Sequence, residues 1–289
     1  MSVDLFSELP NPLFGKPFAV IDFETTGLYP AVGDEICELG LVRVQDGRIE
    51  QEYSQLVNPG RPMDPAAAQI SGISMEMLAN QPRFEDVVDD YLKLFESTVI
   101  VAHNAEFDMA FLQYKLVRLG RRQLPNPVLD TLELARAQDD GGPYTLGILA
   151  NRLGIEGPHA HRALDDAKMA ARVLIHFLED YHKRGKDELA HLPGFRNSYQ
   201  FSIEGPERGE DNSFPIVVEH IRKAIDKKAD LEISYSGGKN QTHRRVTPWY
   251  IKGMNMHGYC HLRKDDRDFR LDRIMECAEV DTEPSPEKT

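Results

Sequence analysis

The stretch F-A-V-I-D-F-E-T-T-G-L, residues 18–28, decides the fold of the N-terminal part of this chain. Its first six residues are apolar apart from Asp22, which predicts a buried strand. Alternate side chains leave a strand on the same face, so we expect Asp22 and Glu24 to project together. Two adjacent carboxylates repel each other, and a buried pair is costly unless cations neutralise it. Because Mg²⁺ takes oxygen ligands of this kind, the stretch predicts a metal site at the strand's end.

The pattern around this strand predicts an α/β fold, a mixed sheet flanked by helices on both faces. Two further strands, residues 35–44 and 49–57, flank Asp46-Gly47, which is a strong hairpin signal. A short strand is expected at residues 98–102. Three meandering strands followed by strand–helix alternation are typical of such a sheet. Helices are predicted near residues 84–95, 105–119, 129–137, 144–153 and 163–181.

A second acidic cluster, H-N-A-E-F-D, occupies residues 103–108. Asn104 stands where a helix N-cap is expected. Asp108 shares a helix face with Phe111 and Leu112, three and four residues later. Because these two apolar side chains must pack on the sheet, Asp108 is expected to point toward the sheet as well.

A third cluster, H-R-A-L-D-D-A, occupies residues 161–167 at the start of the last long helix. The acidic first turn suits the helix dipole. An imidazole titrates near neutral pH, so His161 is a candidate general base toward a metal-activated water. Each cluster alone also fits a simpler interpretation: solvated strand-end acids, helix N-terminal charges or a structural histidine. Their joint occurrence, in this order, favours an acidic catalytic site.

The three motifs D-F-E-T-T-G-L, H-N-A-E-F-D and H-R-A-L-D-D-A resemble those of the DEDDh 3'→5' exonucleases. This is the superfamily of the proofreading epsilon subunit of bacterial replicative polymerase, and its fold is RNase H-like. The resemblance covers residues 16–182. Motif spacing favours Asp166 over Asp165 as a ligand. The metal ligands and general base that the resemblance implies are Asp22, Glu24, Asp108, Asp166 and His161.

The resemblance also implies a cofactor and a reaction. Two Mg²⁺ or Mn²⁺ ions would hold the scissile phosphate, and 5'-mononucleotides would leave from DNA, with single-stranded DNA as the favoured substrate. Family members often carry His-Gly-Ile where this chain has Ser71-Gly72-Ile73, so an RNA-trimming activity remains an alternative. Positions that match contacts to the terminal nucleotide are Thr25, Leu28, Asn104 and Phe107.

Charge is distributed unevenly along the chain. The net charge of -13 excludes a uniformly basic nucleic-acid coat. Residues 1–212 carry a net charge of -14 (20 Lys and Arg against 34 Asp and Glu), whereas residues 215–275 carry +5 (13 against 8). Three cysteines without a C-x-x-C argue against a disulfide framework or a zinc ribbon. With neither a membrane span nor a signal peptide recognisable, we expect a cytoplasmic, bacterial protein.

The basic C-terminal part has a different pattern. An amphipathic helix at residues 214–228 precedes four short strands, with turns expected at Gly237-Gly238, His257-Gly258 and residues 264–267. This arrangement predicts a small Sm/SH3-like β-barrel with a leading helix. The four strands are expected at residues 231–235, 246–251, 259–263 and 269–274.

The runs P-W-Y-I, residues 248–251, and F-R-L-D-R-I, residues 269–274, resemble the WYL-type domain. The resemblance implies that the module senses nucleic-acid-like ligands, because Arg pairs with phosphates and aromatic rings stack on bases. Trp249, Phe269 and Leu271 are expected in the core. The alternative is that the arginines form a solvated face, with Arg273 in an internal ion pair. The candidate ligand-binding residues are Tyr250, His261, Arg263, Arg267, Arg270 and Arg273.

The predicted organisation is therefore an N-terminal tail, an exonuclease domain, a linker, a WYL-type domain and a disordered tail. Ser2-Val3-Asp4-Leu5-Phe6 resembles a short sliding-clamp-binding peptide, although a flexible tail is the alternative. A ligand-regulated nucleic-acid-binding protein with a non-catalytic nuclease domain remains the alternative class of function. The five segments are predicted at residues 1–15, 16–182, 183–213, 214–276 and 277–289.

Overall fold

The computed structural model describes the chain in six stretches and divides it into two compact units. The N-terminal unit comprises Met1–Gly27 and Glu35–Phe201, and the C-terminal unit comprises Leu28–Asp34 and Ser202–Thr289. Each unit has a sheet and a hydrophobic core of its own. The described residues are 11–138, 141–155, 162–200, 213–236, 241–252 and 255–280.

A six-stranded mixed sheet in the order β3-β2-β1-β4-β5-β6 forms the centre of the N-terminal unit. Strands β1 to β3 form an antiparallel meander, β4 and β5 run parallel to β1, and β6 is antiparallel to β5. The mixed sheet that the sequence predicts is confirmed. The strands are β1 (Phe18–Thr25), β2 (Ile36–Gln45), β3 (Arg48–Leu56), β4 (Val99–Ala102), β5 (Val128–Asp130) and β6 (Phe195–Arg196).

Helices cover both faces of this sheet. Phe18 and Val20 of β1 belong to the core shared with α7, whereas Ala19, Ile21 and Phe23 belong to the core shared with α3 and α4. Even-numbered side chains of β1 therefore lie on the α7 side. The helices are α1 (Pro65–Ser71), α2 (Met75–Leu78), α3 (Phe84–Lys93), α4 (Ala105–Arg118), α5 (Thr131–Gln138), α6 (Leu146–Arg152) and α7 (Ala163–Lys183).

The ordered N-terminal unit is longer at both ends than the sequence predicts. A short 3-10 helix, Pro12–Phe14, buries Leu13 completely, and the Asn11 side chain donates to the Leu178 carbonyl at 3.2 Å. Beyond α7, β6 pairs with β5 inside the stretch predicted as a linker. Residues 128–130, predicted mostly as helix, form β5. Two- and three-residue strands are too short to show a periodic pattern, which explains both differences.

The C-terminal unit is a small antiparallel β domain with a leading helix, α8 (Ser213–Lys227), as expected. Its sheet has the order β10-β9-β8-β7-β11. Val32, from the segment Leu28–Asp34, is buried in the same core as Ile221 and Phe269. Arg222 of α8 donates to the Val32 carbonyl at 3.0 and 2.5 Å. The strands are β7 (Leu231–Ser236), β8 (Gln241–Lys252), β9 (Asn255–Cys260), β10 (Asp265–Arg270) and β11 (Ile274–Glu279).

Several details of this unit differ from the prediction. The described residues form five strands rather than four, and residues 265–267, expected in a turn, belong to β10. Gly258 lies inside β9 rather than in a turn. A Cβ there would come 2.5 Å from the Thr247 carbonyl oxygen of β8, so the close approach of the two strands requires glycine. Strand β11 extends three residues past the predicted boundary at residue 276, paired with β7. Trp249 is 45% exposed, beside an irregularity in the β8–β9 register, whereas Phe269 and Leu271 are buried as expected.

Within the described residues, no helix combines the length and the apolar character needed to cross a membrane.

Candidate metal centre and active site

Three carboxylates meet at the carboxyl end of β1. Asp22, Glu24 and Asp166 each offer one oxygen, and the three oxygens lie within 4.8 Å of one another. Asp22 and Glu24 leave β1 on the side that faces α7, and Asp166 lies in the first turn of that helix. Packing of α7 on the sheet therefore brings together Glu24 and Asp166, which are 142 positions apart in the sequence.

Asp108 has a different place from the other predicted ligands. Its side chain is 3% exposed, and its Oδ1 accepts a hydrogen bond from the Phe23 backbone N–H at 3.0 Å. This contact holds the Asp108 carboxylate against β1 at Phe23, the residue between Asp22 and Glu24. Asp108 does not belong to the group of three oxygens, but its charge contributes to the raised pKa of Asp22.

The cluster carries unfavourable negative charge. Burial, followed by the charges of Asp108, Asp166 and Glu24, raises the pKa of Asp22 well above its ordinary value. Burial and the charge of Asp166 raise the pKa of Glu24 to about 8. Burial likewise raises the pKa of Asp108. Oxygen-only donors that repel one another in a poorly solvated place fit a hard divalent cation, whose charge offsets the repulsion.

Glu38 is a member of this site that motif reasoning missed. It lies on β2 directly opposite Glu24 and is 1% exposed. The negative charge of Glu38 also raises the pKa of Glu24, whereas the positive charge of Arg162 lowers the pKa of Glu24. The available signal was one acid in the otherwise apolar run I-C-E-L-G-L-V, residues 36–42.

His161, the predicted general base, lies outside the described residues, and its role stays a prediction. The described chain resumes at Arg162, immediately before α7. The Ser2–Phe6 peptide also lies outside the described residues, so sliding-clamp binding remains untested.

Of the residues predicted to touch the terminal nucleotide, Leu28 and Asn104 are exposed, Leu28 with 65% of its surface accessible. The Thr25 hydroxyl donates to the Gly27 carbonyl at 2.6 Å and so stabilises the turn that presents Leu28. Phe107 packs against Phe111, with ring centroids 5.1 Å apart.

Asn104 occupies the N-cap position of α4, as predicted, but its side chain makes no capping hydrogen bond. It adopts a left-handed conformation, with φ of 71°, and the Asp130 carboxylate accepts the N–H groups of Asn104 and Ala105 at 3.0 and 3.1 Å. Asp130 also accepts the Leu132 N–H at 2.9 Å. This one buried acid therefore caps α4 from β5 and leaves the Asn104 side chain without a capping role.

Ser71, which replaces the histidine common in the family, has its hydroxyl engaged within α1. It donates to the Ala67 carbonyl at 2.9 Å and accepts the Ile73 N–H at 3.3 Å. Ser71 is buried, and its two hydrogen bonds stabilise the C-terminal end of α1.

The predicted ligand-binding residues of the C-terminal unit belong to separate networks. Tyr250 stacks on His257 with ring centroids 4.5 Å apart, and His257 Nδ1 lies 2.5 Å from Asp268. His257 is thus a neighbour of Tyr250 that sequence reasoning missed.

His261 belongs to a second network, with its Nε2 2.9 Å from the Thr247 hydroxyl and 3.5 Å from Asp230. Asp230 also pairs with Arg245 at 2.7 Å. The four remaining candidates are exposed: Arg263, Arg267, Arg270 and Arg273.

Comparison with known proteins agrees with this division of the chain. Residues 19–174 match the RNase T family model, described as Exonuclease, and residues 217–279 match that of the WYL domain. Over 189 residues the chain is 38% identical to the "DNA polymerase III PolC-type" protein of Thermotoga petrophila, a match that covers 65% of this chain and 14% of that protein. Over 180 residues it is 38% identical to the "DNA polymerase III subunit epsilon-like protein" of Rhodobacter capsulatus, covering 61% of this chain and 25% of that protein.

Among solved structures, the chain is similar to E. coli Exonuclease I in complex with a dT13 oligonucleotide. The TM-score is 0.53 at 16% identity, and the match covers 84% of this chain and 55% of that one. At this identity the similarity concerns the fold. The chain spans a quarter or less of the length of the two curated relatives described above.

Proposed function

We propose, because the chain belongs to the RNase T exonuclease family, that it is a metal-dependent 3'→5' exonuclease. Its substrate would be single-stranded DNA, and its products would be 5'-mononucleotides. The observation that carries this proposal is the meeting of Asp22, Glu24 and Asp166 within 4.8 Å, at positions that match the family's motifs. A cytoplasmic, bacterial role in DNA replication or repair is part of the proposal.

The chain's acids would bind two divalent ions, Mg²⁺ or Mn²⁺. Asp22, Glu24 and Asp166 supply the oxygens that meet at the end of β1, and Asp108 is held next to them by the Phe23 N–H. When bound, such a pair of ions stabilises charge on the attacking and leaving oxygens of a phosphodiester. His161 would accept the proton of the attacking water.

The substrate's terminal nucleotide would lie near the start of α4 and the turn after β1. The start of α4 offers Asn104 and Phe107. Leu28, whose position matches another contact of the family, has an exposed apolar side chain on which a base could rest.

Digestion of 5'-labelled oligonucleotides tests the proposal. Full-length protein with Mg²⁺ or Mn²⁺ should give a ladder that shortens from the 3' end, and neither the Asp22→Ala variant nor a metal-free sample should do so. Parallel DNA and RNA oligonucleotides decide between the proposed substrate and the RNA-trimming alternative. Intact oligonucleotides under both metals would contradict catalysis and favour a ligand-regulated binding protein.

The C-terminal unit would bind single-stranded nucleic acid. Its described surface presents Tyr250 and Trp249, both about half exposed, and β10 of the same sheet carries the exposed Arg267 and Arg270 among three aspartates. Aromatic platforms and basic side chains are the elements that hold single strands without sequence preference. This surface would also offset the net charge of -14 on residues 1–212.

Point variants test this binding better than truncation, because Val32 of the segment Leu28–Asp34 is buried in the core of this unit. Arg267→Gln should weaken oligonucleotide binding. It should also reduce the slope of log K against log salt concentration by about one, the loss expected for one phosphate contact. Lys227→Gln removes an equal charge that is paired with Glu279 at 2.9 Å, so it should leave the salt slope unchanged. Equal slopes for both variants and the wild type would argue against nucleic-acid binding at β10.

A further inference from the structure

Glu38 is a buried acid at a place where negative charge is already in excess. It lies on β2 opposite Glu24, and only 1% of it is exposed. Like charges on directly opposed residues destabilise a sheet. A buried carboxylate also costs free energy unless it is paired and hydrogen-bonded. Glu38 therefore needs a partner that outweighs both costs.

That partner is Arg162. Its Nε donates to both carboxylate oxygens of Glu38, at 3.2 and 2.9 Å, and its Nη2 donates to Oε1 at 2.6 Å. This is a forked, charge-assisted contact, which fixes direction as well as distance. Arg162 lies at the N-cap position of α7, where its own side chain makes no capping hydrogen bond.

Glu38 supplies a hydrogen-bond acceptor to the start of that helix. Its Oε2 accepts the Ala163 N–H at 3.1 Å. The first amides of a helix have no partner within the helix, and a negative charge there is favoured by the helix dipole. One carboxylate on β2 thus binds both the residue before α7 and the first residue of α7.

We infer that the Glu38–Arg162 clasp positions the start of α7, so that Asp166 is held in register with Asp22 and Glu24. Asp166 follows within the same turn, and its N–H donates to the Arg162 carbonyl at 3.0 Å. His161 precedes Arg162 directly in the chain. Glu38 and Arg162 are positioning residues, and this inference rests on the proposed exonuclease function.

The fork geometry explains why arginine is needed. A lysine keeps the charge but offers a single point of contact instead of two parallel donors. Arg162→Lys should therefore neutralise Glu38 yet allow α7 to shift. Glu38→Gln keeps the shape of the side chain and one acceptor oxygen. It removes the negative charge that attracts the Arg162 guanidinium.

The test compares Arg162→Lys and Glu38→Gln with wild type in the full-length protein. Loss of a contact that orients metal ligands without touching the metal typically lowers metal affinity or activity by about 10–100-fold. Both variants should raise the Mg²⁺ concentration needed for half-maximal cleavage by about 10–100-fold. They should also lower kcat, with little change in KM for the oligonucleotide. Calorimetric titration of Mg²⁺ or Mn²⁺ into the protein without substrate should show the same shift.

Arg196→Lys is the matched control, because Arg196 forms a comparable 2.7 Å pair with Glu133 elsewhere in the unit. It should leave the metal dependence unchanged. Thermal unfolding in EDTA reports folding separately. A clasp variant that unfolds at lower temperature but keeps the wild-type metal affinity would overturn the inference, and so would an equal shift in Arg196→Lys.

The calorimetric measurement separates this inference from the proposed function. If the wild type binds metal but cleaves no oligonucleotide, the proposed function fails, and the clasp is still supported when both variants lose metal affinity. If the wild type cleaves and both variants bind metal and cleave as it does, the clasp fails and the function stands.

Discussion

Gly40 of β2 lies directly opposite Asp22 of β1, and a Cβ at position 40 would come 2.2 Å from the backbone carbonyl carbon of Ala163. No side chain fits at position 40, where β2 meets the backbone of Ala163. The absence of a side chain at one position of β2 therefore allows α7 to approach the sheet closely enough for Asp166 to reach Asp22 and Glu24.

Gly40→Ala should destabilise the protein and weaken metal binding together. The methyl group must displace backbone atoms of α7, and overpacking of this kind costs about 1–3 kcal/mol. Urea unfolding and calorimetric Mg²⁺ titration measure the two effects. Gly147→Ala in α6 is the control, because a Cβ there meets nothing within 4 Å. Unchanged Mg²⁺ affinity in Gly40→Ala would show that the approach of α7 at this point does not set the site.

The stability of the metal-free protein should depend on pH through Glu24. Its pKa rises from the ordinary value of 4.5 to about 8 in the folded protein. The folded state therefore holds a proton that the unfolded state releases, and the resulting stabilisation is complete below about pH 4.5 and lost as the pH rises through about 8. The free energy of unfolding in EDTA should fall over this range. Saturating Mg²⁺ should reduce the fall, because the cation replaces the proton. A flat profile in EDTA would contradict the raised pKa.

Asp22→Asn should abolish cleavage and yet stabilise the metal-free protein wherever the native Asp22 is ionised. The substitution removes one of the charges that repel each other at the end of β1. In EDTA we expect the midpoint of thermal unfolding to rise by about 2–4 °C for each kcal/mol of repulsion relieved. The gain should shrink as the pH falls, because protonation of the native carboxyls relieves the same repulsion. A lower unfolding midpoint at high pH would show that Asp22 is stabilising as a charge.

Trp249 should report ligand binding to the C-terminal unit. It is the only tryptophan of the chain and is 45% exposed, one residue before Tyr250. A base that stacks on this surface should change its fluorescence during titration with an oligonucleotide. Tyr250→Ala should weaken the free energy of oligonucleotide binding by about 1–3 kcal/mol, the usual contribution of one stacked base. Binding that leaves the fluorescence of Trp249 unchanged would place the nucleic acid elsewhere.

Much of the N-terminal unit could be predicted because its signals are local. The apolar run before Asp22 indicates a strand, and Asp46-Gly47 indicates the hairpin that joins β2 and β3. The long helix after residue 162 follows from its 3.6-residue period. The alternation of side chains along β1 also places Asp22 and Glu24 on one face, as the structure shows.

Other residues could not be assigned in this way, because their roles depend on partners far away in sequence. The Asn104 side chain was expected to cap α4, but Asp130 on β5 accepts the amides instead. Trp249 was expected in the core, but the irregular β8–β9 register leaves it at the surface. Position in a motif carries no information about which distant group satisfies an amide or covers a ring.

The sequence by itself determined the longer strands and helices of the N-terminal unit, the acids of the motifs and the division into an acidic and a basic part. These properties follow from periodicity and composition, which are local. Only the tertiary structure decided that Asp166 reaches Asp22 and Glu24, that Asp108 is held on the Phe23 amide, and that Glu38 binds Arg162. Each of these contacts joins residues more than 80 positions apart, so its geometry is set by how α4 and α7 pack on the sheet.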